Sequence, residues 1–260
     1  MSEQGLIAHI DDRGVGWLTI DRPDRMNALD GASARALVRT LGEWSANSDV
    51  RVVVISGSGK AFSTGADIVD MAGAEPPKDE QEAAQRAADT IDGGSNLARA
   101  VRDTRVPVIA AVNGAAAGVG ASLAIAADLI YASEKAYFLL PFVNIGLMPD
   151  GGATATVAAA IGRARAAAVA LLGEKLSAAD AYAAGLITAV VAPDELTSVV
   201  DAAAAKLASK PRRAMELTKA ALNGSTLAGL EDAFDRERSG QIELLQSADF
   251  RSAIAQFSAK

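Results

Sequence analysis

The sequence predicts an α/β fold, and three observations carry that prediction. Short, wholly apolar runs, Val52 to Ile55 and Val108 to Val112, read as buried strands of the kind found in parallel sheets. Stretches with helical periodicity alternate with these runs along the first part of the chain. Each run ends in a glycine-containing turn, Gly57-Ser58-Gly59 after the first and Asn113-Gly114 after the second.

The elements follow in order. Residues 6–10 and 15–20 read as two strands joined by a turn at Asp11 to Gly14. A polar loop begins at Asp21-Arg22-Pro23-Asp24. Asp30 then caps a helix to about Asn47 that carries Leu37, Val38, Leu41 and Trp44 on one face. After the strand at 51–56, the segment from Phe62 to Ile68 leads into a polar, Pro-containing loop at Glu75 to Lys78. A helix is predicted from about Asp79 to Arg102, a strand over 108–112, a helix over 117–126 and a strand over 129–132. From residue 155 the pattern turns nearly all helical. Ser177 to Asp180 forms a capping box, and Asp194 opens a helix with Leu196, Val199, Val200, Ala203, Ala204 and Leu207 on one face. Pro211 starts another helix, and the last predicted helix runs near 227–246.

Composition excludes several functions. The chain has 260 residues, half of them apolar and 22% charged, which fits a folded globular protein. With no cysteine, it has no disulfides, thiolate zinc sites or cysteine nucleophiles, and the lack of a leader pattern gives the cytosol as the expected location. A net charge of −7 argues against nucleic acid as a partner. The single histidine, His9, sits in a strand and is read as solvated, so no histidine-based triad or metal site is expected. Val106 to Ala127 carries no charge and is long enough to cross a membrane. However, Pro107, Asn113, Gly114, Gly118 and Gly120 divide it into a strand, a turn and a helix.

Two segments offer chemistry. Phe62-Ser-Thr-Gly65-Ala66-Asp67-Ile68 and Asn113-Gly114-Ala-Ala-Ala-Gly118-Val119-Gly120 each follow a strand and present small residues. Two backbone amides converging there can receive a carbonyl oxygen that becomes an oxyanion. Neither segment is a dinucleotide fingerprint, because after Gly118-Val-Gly120 the third glycine is replaced by Leu123.

In order and spacing, Asp21-Arg-Pro-Asp-Arg-Met-Asn-Ala-Leu29, Phe62 to Asp67 and Ala111 to Gly120 resemble the crotonase (enoyl-CoA hydratase/isomerase) family. So do Ile145-Gly-Leu-Met-Pro-Asp150-Gly-Gly152, Gly185-Leu-Ile187 and Phe257-Ser-Ala-Lys260. The resemblance spans essentially the whole chain. It implies a spiral of ββα units over residues 1–195, holding an acyl-CoA site. A helical region over 196–260 would mediate assembly into a homotrimer or a hexamer built as a dimer of trimers. It also implies that the amides of Ala66 and Val119 form an oxyanion hole for a thioester. Arg25 to Ala28 and the backbone of Ala66, Asp67 and Ile68 would line the CoA, and Lys260 would reach its phosphates. Coenzyme A is then part of the substrate; no separate cofactor, no metal and no membrane partner are implied.

The sequence departs from the family pattern at two positions. Where hydratases of the family carry glutamates, this chain has Ser122 and Phe142. Adding water to a double bond needs two placed acid/base groups, so hydration is expected to be lost. Asp150 remains, at a position where isomerising members of the family use an aspartate, and the run from Gly162 to Ser177 resembles the ring-epoxide phenylacetyl-CoA isomerase subgroup. Read as residues alone, Pro149-Asp150-Gly151 is also a common turn. The leading expectation is isomerisation through a dienolate with Asp150 as the acid/base. The alternatives are a non-catalytic acyl-CoA carrier or regulator and, more weakly, a nicotinamide oxidoreductase.

Overall fold

The computed structural model describes residues 4–73, 75 and 77–258. Its first half comprises β1 (Leu6–Ile10), β2 (Val15–Ile20), α1 (Gly31–Ala46), β3 (Val52–Gly57), β4 (Ala61–Ser63), α2 (Ile68–Gly73) and α3 (Glu80–Asp103). Then come β5 (Val108–Val112), β6 (Ala115–Ala117), α4 (Val119–Ile125), β7 (Leu129–Ser133), β8 (Tyr137–Leu139) and α5 (Ala153–Leu172). The chain ends in β9 (Leu176–Ser177), α6 (Ala178–Ala184), β10 (Ala189–Val191), α7 (Leu196–Ala208), α8 (Arg212–Thr226), α9 (Leu230–Leu245) and α10 (Ala248–Ser258).

Two sheets organise these elements. The larger has strand order β1-β2-β3-β5-β7-β10, and every pair in it is parallel except β1 with β2. The smaller has the order β4-β6-β8-β9. Three times in succession the chain leaves the large sheet, adds one short strand to the small sheet and turns into a helix. The pairs β3–β4, β5–β6 and β7–β8 are these steps, so the fold is a spiral of ββα units as expected.

Strand periodicity explains the layering. Val53 and Ile55 of β3, with Val108, Ala110 and Val112 of β5, face the main core. Val52, Val54, Ile109 and Ala111 face the other way and pack under Leu196, Val200 and Ala204 of α7. Burial on both faces is what makes these strands read as unbroken apolar runs. Asp30 caps α1 by accepting from the Ser33 amide at 2.8 Å, and Leu37, Leu41 and Trp44 are buried along the predicted face.

The structure corrects the sequence reading in three places. Ala117, predicted to start a helix, ends β6, and the helix begins at Val119. The stretch after residue 155 is nearly all helical as expected, but β9 and β10, two short strands not read from the sequence, each complete a sheet edge. An additional helix, α10, follows α9. Strands of two or three residues have no readable period; pairing with a partner already in place decides them. At Ser177 half of the predicted box forms: its Oγ accepts from the Asp180 amide, and the other bond joins the two side chains.

Candidate active site

The site begins where two strand ends meet. Leu29 forms a single parallel bridge with Ala66, donating to the Gly65 carbonyl at 2.7 Å and accepting from the Asp67 amide at 3.0 Å. Because bonding direction alternates along an extended chain, the N–H of Ala66 points away from Leu29. Val119 is the first residue of α4, so its N–H has no acceptor within the helix. Among the described residues neither amide donates a hydrogen bond. Gly65 brings the two together. It has φ +91°, and a Cβ on it would lie 3.1 Å from the Val119 nitrogen and 2.8 Å from the Ala117 carbonyl oxygen.

Asp150 stands on the turn before α5. Its Oδ2 accepts from Gln241 Nε2 at 3.0 Å, whereas its Oδ1 is buried with no hydrogen-bond partner. A Cβ on Gly94 of α3 would lie 3.9 Å from that Oδ1 and 3.1 Å from Val119 Cγ2, so α3, Val119 and Asp150 meet at one point. Ser122 of α4 donates to the Asp150 carbonyl at 2.7 Å and fixes the turn. Burial pushes the Asp150 pKa up most strongly; the Gln241 bond lowers it and the Glu237 charge raises it, leaving it at about 7. Glu237, fully buried on α9, accepts from the Gly152 amide (2.7 Å), the Thr154 amide (3.0 Å) and the Thr154 hydroxyl (2.6 Å). Burial also raises the pKa of Glu237, against those bonds and the charge of Arg236.

A cavity of about 690 Å³ runs along these residues, within the range of small-molecule sites, roughly 300–1,000 Å³. Ala66, Val119 and Asp150 all line it, together with apolar Leu29, Val38 and Leu97 and the backbone of Gly93 and Gly94. Asp67 lines it too, but its carboxylate is committed. It pairs with Arg25 at 2.7 Å and Arg22 at 3.3 Å and accepts from the Asp70 amide at 3.3 Å at the start of α2. Burial works against its ionisation, but Arg25, the Asp70 amide and Arg22 outweigh burial and hold the Asp67 pKa below the usual carboxylate value. Arg25, Ala28 and Ile68 adjoin the cavity without lining it. The Ala28 carbonyl accepts from Arg22, and Asn27, with φ +57°, ties this loop to the Ser58 and Ala61 carbonyls at 2.8 and 2.7 Å. Lys260 lies outside the described residues.

Sequence reasoning missed Gln241, Glu237, the cavity-lining pair Gly93-Gly94, and the exposed cations Arg35 and Arg39 at the cavity edge. It did identify the two substituted positions. Ser122 is a brace for the Asp150 turn, and Phe142 is buried with its ring tip 4.0 Å from where a Cβ on Gly118 would be. Neither can activate water. Chemically, the arrangement joins two unpaired amides to a carboxyl group able to exchange protons near neutral pH, in one cavity.

The pattern of the enoyl-CoA hydratase/isomerase family matches residues 11–260, nearly the whole chain. The chain belongs to this family. Within it, the chain is 34% identical to 1,2-epoxyphenylacetyl-CoA isomerase of Escherichia coli (strain K12), over 98% of this chain and 95% of that protein. It is 38% identical to a protein of Rhodobacter capsulatus named "Probable enoyl-CoA hydratase", over 94% of this chain and 91% of the other. Among solved structures, an enoyl-CoA hydratase from Mycobacterium avium subsp. paratuberculosis K-10 superimposes with a TM-score of 0.87 at 42% identity, covering 98% of this chain and 96% of its own. Crotonase-family membership agrees with the ββα spiral and its helical C-terminal part. The names of these relatives include both hydratases and an isomerase, so the names alone do not choose the reaction.

Proposed function

We propose that the protein is an acyl-CoA isomerase that shifts a double bond through an enolate. The observation that carries this reading is the buried Asp150 carboxyl, one oxygen unpartnered, lining the same cavity as Ala66 and Val119. The two amides receive the thioester oxygen and stabilise it as negative charge develops. Asp150 takes the proton from the carbon next to the thioester, and that C–H electron pair flows into the enolate. The same proton then returns two carbons along, so the double bond becomes conjugated with no net gain or loss of atoms. One carboxyl group suffices, which fits Ser122 and Phe142 at the other acid/base positions.

The rest of the ligand follows from the surroundings of the cavity. Arg35 and Arg39 supply positive charge for the CoA phosphates, with Lys260 as a further candidate cation; the loop from Arg25 to Ala28 and the backbone of Ala66, Asp67 and Ile68 flank the nucleotide. No separate cofactor or metal is needed. The C-terminal helices are assigned to assembly as a homotrimer or hexamer. A second reading, a carrier that binds acyl-CoA without turnover, is favoured by the same two substitutions, Ser122 and Phe142.

A panel of thioesters separates the readings. An unconjugated enoyl-CoA is expected to gain the absorbance of the conjugated product, while crotonyl-CoA forms negligible 3-hydroxyacyl-CoA. Hydration at typical enzyme rates, about 10 per second, contradicts the proposal. Binding without any turnover across the panel installs the carrier reading.

A further inference from the structure

Helix α9 reaches the Asp150 turn with two polar residues in its apolar stripe. Leu230 and Phe234 are buried against α3 and α5, Ala233 is buried beside them in the sequence, and the next buried positions on the helix are Glu237 and Gln241. The helix is fixed along α3 at three levels. Glu231 pairs with Arg102 at 2.6 Å, Arg99 lies 4.1 Å over the Phe234 ring, and Arg238 pairs with Asp92 at 2.7 Å. A glutamate and a glutamine would be costly at such positions unless their polar atoms were used. They are used: Glu237 takes three donors from the start of α5, and Gln241 bridges the Met148 amide (3.3 Å) to Asp150 Oδ2 (3.0 Å).

We infer that Gln241 and Glu237 are positioning residues for Asp150, Gln241 restraining Oδ2 so that Oδ1 exchanges the substrate proton, and Glu237 locking the turn that presents it. This inference rests on the reading of Asp150 as the acid/base. The two residues also pull in opposite directions electrostatically. A bond donated to Oδ2 favours the carboxylate, and a neighbouring negative charge favours the carboxylic acid. The other charged groups nearby are Asp89 and Asp92 of α3, Asp67 and Asp70 at α2, and Asp30, Arg35 and Arg39 at α1, all lining the cavity, with Arg236 of α9 acting on Glu237. Arg238 of α9 is turned to Asp92, and α4 contributes only the uncharged Ser122.

The test reads the pH dependence of kcat/KM for an unconjugated enoyl-CoA, together with kcat and KM separately. Gln241→Met, which keeps the bulk and loses the donor, is expected to lower kcat with KM little changed. Its acid limb should move up by about one pH unit. Gln241→Asn, with its amide drawn back, is expected to move the limb the same way by less. Glu237→Gln should move the limb down. If the soluble variants lose activity while the limb stays at its wild-type position, the residues are only structural and the inference falls. Asp150→Asn runs in parallel: full activity there overturns the reading of Asp150 itself, whereas an inert Asp150→Asn beside an unmoved limb overturns only the role of α9.

Discussion

Burial of the Asp150 carboxyl makes the stability of the fold depend on pH. In the unfolded chain the carboxyl releases its proton near 3.8, and in the folded protein near 7. Between those values the folded state holds a proton that the unfolded state has lost, so stability falls as pH rises through this window and stays lowered above it. At about 1.4 kcal/mol per unit, the cost above pH 7 is about 4 kcal/mol. Asp150→Asn removes the titration and keeps an acceptor for Gln241. The variant is expected to gain thermal stability over wild type at pH 8 and to show little gain at pH 4. An equal change at both pH values contradicts a raised pKa at this residue. The activity of the wild type should fall as pH drops below about 7, because protonated Asp150 is not a base.

At the scale of elements, α3 shows why part of the site escaped the sequence. Its helical period is plain from Ala87, Ala88, Ile91, Ser95, Leu97, Ala98 and Val101, all buried. Yet Gly93-Gly94 in its middle reads only as a weak spot, since a helical glycine costs about 1 kcal/mol relative to alanine. The structure gives Gly94 a reason, because a Cβ there approaches both Val119 and Asp150; Gly93 has open space around it. Gly93→Ala is therefore expected to stabilise the protein by up to about 1 kcal/mol. Gly94→Val is expected to lower kcat/KM about tenfold or more by filling the wall between the amide and the carboxylate. Denaturant unfolding and steady-state kinetics on the two variants check this, and equal kinetics would show that Gly94 does not border the substrate. The local signals were legible: Asp30 as a cap, Gly65 and Gly118 as small residues in the two turns, Pro149-Asp150-Gly151 as an acidic turn. Glu237 and Gln241 were not, because their meaning depends on α9 crossing α3 and α5. The one available signal was a stripe begun by Leu230, Ala233 and Phe234 and continued by two polar residues.

The whole molecule leaves apolar side chains in solvent on its helices. Leu171 and Leu172 at the end of α5 are 72% and 60% exposed, and Leu217 and Leu222 of α8 are 53% and 59% exposed. α5 is long and apolar enough to cross a membrane by length and composition, but Gly162, at φ 75° and ψ 160°, breaks it into two helical segments. Contacts between copies of the chain would cover such patches. Light scattering at micromolar concentration is expected to give a trimer or hexamer, and a monomer contradicts that assembly. On the proposed mechanism Asp150 transfers the proton, whereas the backbone around Ala66 and Val119 binds the thioester. Comparing wild type with Asp150→Asn checks this division of roles, following conversion of an unconjugated enoyl-CoA and the affinity for a CoA thioester on the same preparations. The rate is expected to fall roughly a hundred- to ten-thousand-fold while affinity stays nearly unchanged. Wild-type turnover by Asp150→Asn would contradict it.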